Sequence, residues 1–201
     1  MSIKLKHLAL AATTFAAALI AQAPAADETP RYTGWSWSGD LGRLNLTKDA
    51  AAREYLYTDA TVFGFGAEHY NSEDEFIFGF GLDFVSYNDA YPFQQLTNQG
   101  WKESNASGMI FYGEAGARIR LGVDEMNYLT VKGGYSATAA TDRSIASCSN
   151  CDVIPIKIDG GLYGVVGIGH SFSSVDLALN FQQYFSGDFD NSITLKLSST
   201  Y

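Results

Sequence analysis

From Phe76 to Phe84 the chain reads Phe-Ile-Phe-Gly-Phe-Gly-Leu-Asp-Phe, with a large apolar side chain at every second position. A period of two places successive side chains on opposite faces of a β-strand. Glycine-rich aromatic segments of this kind recur from Trp35 to Tyr201. They predict eight strands, at about 35–46, 57–69, 75–88, 107–121, 128–138, 155–170, 175–186 and 191–201. No proline falls inside any of them, as a hydrogen-bonded ladder requires; Pro92 lies between strands and Pro155 at a strand start.

Seven of these strands carry an apolar face free of charge. The faces hold Phe63, Phe65 and Ala67; Phe76, Phe78, Phe80, Leu82 and Phe84; and Met109, Phe111, Ala115, Ala117, Ile119 and Leu121. Leu129, Val131 and Tyr135 follow, then Ile156, Ile158, Leu162, Val166 and Ile168. Val175, Leu177, Leu179, Phe181 and Phe185 come next, and Ile193, Leu195 and Leu197 complete the set. The opposite parity holds Glu68, Asp83, Glu114, Arg118, Arg120, Lys132, Lys157, Asp159, Asp176 and Lys196, five acids and five bases. The first strand is irregular: Trp35, Trp37 and Leu41 share one parity, Leu44 and Leu46 the other. A bulge near Gly42, or different strand limits, would restore the alternation.

A soluble sandwich turns its apolar faces inward, whereas a membrane barrel turns them to lipid and keeps the polar faces inside. The connections favour the barrel. Residues 71–74, 122–127 and 171–174 are short and turn-like, whereas 47–56, 89–106 and 139–154 are long; only 187–190 is brief on that second side. Short turns at one end and longer loops at the other are the pattern of outer-membrane barrels. Seven apolar faces would also demand a larger core than about 175 residues enclose. The reading is therefore all-β: an eight-stranded antiparallel up-and-down transmembrane β-barrel with a closed polar interior. Eight strands leave just enough bore for side chains to fill. Charges buried there must pair, so the ten charged residues are expected to form one interior network. The inward glycines, such as Gly64, Gly66 and Gly79, are expected to make room for it.

The N-terminus adds a route of export. Lys4, Lys6 and His7 precede an apolar run from Leu8 to Ala21, and Ala23-Pro24-Ala25 offers small residues for cleavage. This is the order of a signal peptide over residues 1–25, with the barrel domain at 26–201. Removing Lys4 and Lys6 leaves 11 basic residues against 22 acidic ones, a net charge of −11. No basic patch survives, which argues against a nucleic-acid partner.

With the seven alternating faces and the terminal Ile193-Thr-Leu-Lys-Leu-Ser-Ser-Thr-Tyr201 in view, the mature chain resembles the small eight-stranded outer-membrane barrels of Gram-negative bacteria, of the OmpA, OmpX and Ail kind. Within the resemblance, Ile193, Leu195, Leu197 and Tyr201 look like the family's C-terminal assembly signal, with Tyr in place of the usual terminal Phe. It implies the cell outer membrane as location, reached through the periplasm. It also implies the barrel-assembly machinery, membrane lipid and lipopolysaccharide as partners. No peptidoglycan-binding domain is expected after the barrel.

Candidate chemistry is sparse. Cys148-Ser-Asn-Cys151 has a spacing shared by zinc knuckles and redox motifs, but no further Cys or His lies nearby and no helix is predicted after it. In an oxidising compartment a loop-stapling disulfide is the expected state. The mature chain's two histidines, His69 and His170, fall at strand ends beside short turns and share parity with the apolar faces. That position suits an interfacial belt rather than the histidine-assisted hydroxyl of a lipid A-modifying barrel, even with Ser171 adjacent. No catalytic residue, metal or cofactor is expected. Tyr91, Phe93 and Trp101 in the second long loop are candidate binding anchors for an external ligand or host surface. The expected role is structural or surface-interactive, in adhesion or envelope integrity. The alternatives are a small-solute conduit of the OmpW type and a lipid A-modifying enzyme.

Overall fold

The structure is a computed structural model that describes residues 33–97, 100–122, 126–146, 148, 150–173 and 175–200. The expected signal peptide and the terminal Tyr201 lie outside the described residues.

Among the described residues, eight long strands follow one another antiparallel around a closed barrel: β1 (Gly34–Leu46), β2 (Leu56–Asn71), β3 (Phe76–Asp89), β6 (Asn105–Leu121), β7 (Asn127–Ser144), β9 (Leu162–Phe172), β10 (Val175–Tyr184) and β11 (Phe189–Thr200). The seam is β1 against β11, running from Ser36 opposite Thr200 to Leu46 opposite Phe189. The long connections gather at one end. Loop 1 carries a short helix, α1 (Lys48–Arg53), and loop 2 a hairpin of β4 (Gln94–Thr97) and β5 (Gly100–Glu103). Loop 3 carries β8 (Ile154–Pro155), which pairs with the end of β7, and loop 4 joins β10 to β11. The other end has short turns only, beginning with 72–75, where Asn71 and Asp74 carboxamide and carboxylate oxygens accept from the Glu73 and Phe76 amides.

The faces are inverted relative to a soluble protein. Leu195 is 52% exposed, whereas Lys196 beside it is 7% exposed. Phe80, Phe111, Val166, Ile168, Leu179 and Ile193 are likewise exposed on the outside of the barrel. At the turn end the outer surface closes on an aromatic cluster. Trp35 packs edge-on against His69 and Phe78 at 5.3 and 5.4 Å, and His69 stacks on Phe78. Amphipathic rings of this kind mark a membrane–water boundary.

The closed interior carries its charged side chains in the turn-side half. Its loop-side half is an apolar core built around Leu44, Val62, Val85, Ile110, Ile158 and Phe189. This resolves the first strand. β1 keeps one register against β2 from Gly34 to Asn45, with no bulge at Gly42. Leu44 and Leu46 break the outward parity because they point into that core. Helix α1 adds Ala50 and Ala51 to it, capped by Thr47, whose hydroxyl accepts from the Ala50 amide at 3.3 Å.

The sixth predicted strand is also corrected. β9 begins at Leu162 rather than near residue 155, and the extended segment ahead of it buries Ile156 and Ile158 while exposing Lys157 and Asp159. The shift occurs at Gly160-Gly161, where a Cβ on either would collide with the backbone of Ser136 or Ser186. Val175, assigned to the outer face, is buried at the third turn.

An apolar half-core inside the barrel makes a direct prediction. Ile110→Ala should lower the unfolding free energy by about 2–5 kcal/mol, measured by urea titration of protein folded into lipid vesicles. A loss within about 0.5 kcal/mol, the range of an exposed substitution, would mean that Ile110 does not face a packed interior.

Candidate functional site

Two regions gather the polar chemistry: the turn-side half of the bore and the cap formed by the loops.

In the bore, Glu68 of β2 is the hub. Lys132 Nζ donates to its Oε1 at 2.8 Å, Lys196 Nζ contacts the same oxygen, and Arg118 Nη2 lies 3.9 Å from Oε2. Lys132 also bridges to Glu114, and Arg118 Nη1 donates to Asp176 Oδ2 at 2.8 Å. The Arg118 guanidinium lies over the Tyr128 ring at 4.4 Å and near Tyr70 at 5.2 Å. Three acids and three bases from β2, β6, β7, β10 and β11 thus form one paired set, each side chain almost fully buried. The room comes from glycine. A methyl on Gly79 would sit 2.8 Å from Glu68 Cγ, and one on Gly66 would sit 2.6 Å from the Tyr112 hydroxyl.

The remaining expected members go elsewhere. Arg120 is half-buried at the turn-side rim, its Nε 3.5 Å from the Tyr70 hydroxyl. Lys157 and Asp159 leave the interior altogether and stand exposed in loop 3, because the register shift before β9 reverses their side. Asp83 is inside, where no direct ion pair to it occurs among the described residues; it converges with Asp40 of β1 above Gly64. Asp40 was not expected inside, since the mixed parity of the first strand hid its direction. The two carboxylates line a cavity of about 40 Å³ between the apolar and charged layers, together with Tyr112, Asn180 and Gln182. That is room for about three water molecules.

At the cap, two arginines hold the loops together. Arg143, at the end of β7, donates from Nε to Asp89 Oδ2 at 2.7 Å, with both side chains buried. Its Nη2 donates to the Glu54 and Tyr55 carbonyls, so loop 1 and the ends of β3 and β7 share one clasp. Arg53 of α1 donates from Nη2 to Asp188 Oδ2 and to the Lys157 carbonyl, each at 2.7 Å, joining loops 1, 3 and 4. The hydrogen bond to Asp188, and after it the one to Glu54, pushes the Arg53 guanidinium's pKa further up. Neither arginine stood out in the sequence. They read as ordinary loop charges, and only the fold reveals the carbonyls they reach.

The candidate anchors of loop 2 do not form one cluster. Tyr91 is exposed and packs edge-on against Tyr55 of loop 1 at 5.6 Å. Phe93 is half-buried, its amide held by the Ser104 hydroxyl. Trp101 stands on the hairpin opposite Leu96, both exposed. Tyr55 occupies the left-handed region at φ 56°, a conformation uncommon for a residue with a Cβ. Cys148 and Cys151 are joined as a disulfide, and the amide of the following Asp152 donates to Gln95 on the hairpin at 3.0 Å. The staple therefore shapes the part of loop 3 that leans on loop 2.

The histidines lie on the outer surface at the turn end. His170 Nδ1 is 2.9 Å from Asn127 Oδ1, while Ser171 is buried on the opposite face of the same strand. The adjacent pair therefore cannot act as nucleophile and base. No group of three or more His, Cys, Asp or Glu positioned to hold a metal occurs among the described residues. Ile193 and Leu195 of the expected assembly signal are exposed on the outside of β11, with Leu197 half-buried beside them.

The charge hub can be tested against the displaced residues. Glu68→Ala leaves three buried cations short of a partner and should destabilise by about 3–5 kcal/mol, whereas Lys157→Ala should change stability by less than about 0.5 kcal/mol. Urea titration of both variants in vesicles measures this, and equal effects would contradict the arrangement.

No protein-family model and no curated protein matches the sequence. Among solved structures the chain is similar to Neisserial surface protein A, at 9% sequence identity, over 84% of this chain and 98% of that one, with a TM-score of 0.52. It is also similar to Ail, the attachment invasion locus protein of Yersinia pestis, solved in complex with the heparin analogue sucrose octasulfate. That match has 11% identity and a TM-score of 0.42 over 85% of this chain and 99% of the other. The chain has the fold of the small eight-stranded outer-membrane barrels.

Proposed function

We propose that the protein is an integral outer-membrane barrel that acts through its outer cap, in adhesion or in the integrity of the envelope. The observation that carries this reading is the inverted surface: an apolar outside around a paired, closed inside. Such a surface is stable only in lipid. Residues 1–25 would direct export and be removed, and the last strand, ending in Tyr201, would be read by the barrel-assembly machinery. The cap supports a surface role because the clasped loops hold Tyr55 and Tyr91 outward at the end opposite the termini. Exposed tyrosines on an ordered frame lose little entropy on binding. The partner would be an external ligand or host surface.

A solute conduit receives less support. The apolar layer and the charged layer both lie across the bore, and the cavity between them holds only a few waters. A lipid A-modifying activity also receives less support, since His170 meets Asn127 and the adjacent Ser171 is buried on the opposite face.

Electrophoresis of outer-membrane fractions, boiled against unboiled, tests the location. A folded band that shifts on boiling is expected; a periplasmic protein with no shift would refute the reading. For the cap, Tyr55→Ser with Tyr91→Ser should keep the shift while abolishing binding to a host-cell surface. Undiminished binding would remove the tyrosines from the role.

A further inference from the structure

We infer that the hairpin β4–β5 presents Leu96 and Trp101 sideways to the sugar core of the surrounding lipopolysaccharide. This rests on the outer-membrane reading above.

The inference starts from register. Along residues 101–111 the odd positions Trp101, Glu103, Asn105, Ser107 and Phe111 are exposed, and Ser104, Ala106, Gly108 and Ile110 are buried. The alternation passes through the break at Ser104 without slipping, because Ser104 N donates to the Phe93 carbonyl at 2.9 Å and keeps the two chains paired. Trp101 therefore lies on the same side of the ladder as the lipid-facing Phe111. Leu96, directly opposite Trp101, lies there too. The inner side of the hairpin is occupied, since Gln95 accepts from the Asp152 amide of loop 3. Only the outward side is open.

Height then separates this pair from the hydrocarbon. The apolar outer face ends near Met109 on β6 and Phe84 on β3, followed by Ser107 and Ser86. From Met109 to Trp101 is eight residues, or roughly 27 Å of strand, and with the usual barrel tilt the indole stands roughly 20 Å above that edge. Acyl chains do not reach so high. In an outer leaflet of lipopolysaccharide, that layer beside a barrel is filled by saccharide. The outward groups between Met109 and Trp101 are Ser107, Asn105 and Glu103, with no base among them. They suit hydroxyls rather than phosphates. An exposed indole beside leucine offers an apolar platform for the C–H face of a sugar ring, and its N–H is a donor at the rim.

The chain's three tryptophans make the test clean, because Trp35 and Trp37 sit on the outer surface near the turn end and report on insertion separately. A W35F/W37F protein, with Trp101 alone, is folded into vesicles of phospholipid, of deep-rough lipopolysaccharide lacking the outer core, and of lipopolysaccharide with a complete core. The expected result is a blue-shifted emission and an about two-fold fall in acrylamide quenching in the complete-core vesicles only, as an indole leaves water for a packed face. Equal quenching in all three vesicles would overturn the inference and leave the face to a partner from outside. Quenching of Trp101 by brominated acyl chains would overturn it by placing the indole in hydrocarbon. In a W101F protein, brominated lipid should quench Trp35 and Trp37. Failure there would instead refute the membrane reading itself.

Discussion

Everything in this molecule depends on the closing of the sheet. A backbone surrounded by lipid has no water to satisfy its amides and carbonyls, so every ladder must find a neighbour. Eight strands, with β1 paired to β11, meet that demand with the narrowest bore that side chains can fill. A narrow bore leaves no bulk water for a charge. Each inward lysine or arginine must then meet a carboxylate, and the Glu68 hub is the result.

The two halves of the interior solve the filling problem differently. At the turn end long charged chains cross the bore, with glycines opposite them to admit their bulk. At the loop end branched aliphatic and aromatic groups pack as in a soluble protein, helped by α1 and by Ile156 and Ile158 from loop 3. The apolar half can exist because the loops cover it, and Arg53 and Arg143 keep them in place. Cap and core are thus one construction. The Asp40–Asp83 pair sits at the junction, on a small cavity lined by Ile110 and Val165 as well as by Lys132 and Lys196.

The fold was legible because a period-two alternation runs along the outer face of most strands, from Phe76 to Phe84 most plainly. Glu68, Glu114, Arg118, Lys132, Asp176 and Lys196 were legible for the same reason: a charge on the opposite parity has only the bore to enter. What escaped was the change along the bore. Leu44, Val62, Val85 and Ile110 all occupy the inward parity near the loop ends, and taken together they spell an apolar inner layer. In the sequence only Leu44, with Leu46, stood out, as an irregularity of the first strand. Lys157 and Asp159 were misplaced because the alternation does not survive Gly160-Gly161, where the backbone stops being a strand. The arginine clasps were invisible because their partners, carboxylates and backbone carbonyls alike, lie on segments distant in sequence, and the carbonyls leave no trace in side-chain pattern.

The seam between β1 and β11 has a consequence for the order of events in the protein's life. Its second half is β11, and until that strand docks β1 exposes an unpaired edge. Every earlier strand pair joins neighbours in sequence, but this one joins residues as far apart as Ser36 and Thr200. Closure must therefore wait for β11. A sheet that lacks this strand stays open, a species with adhesive edges rather than a slightly smaller version of the same object.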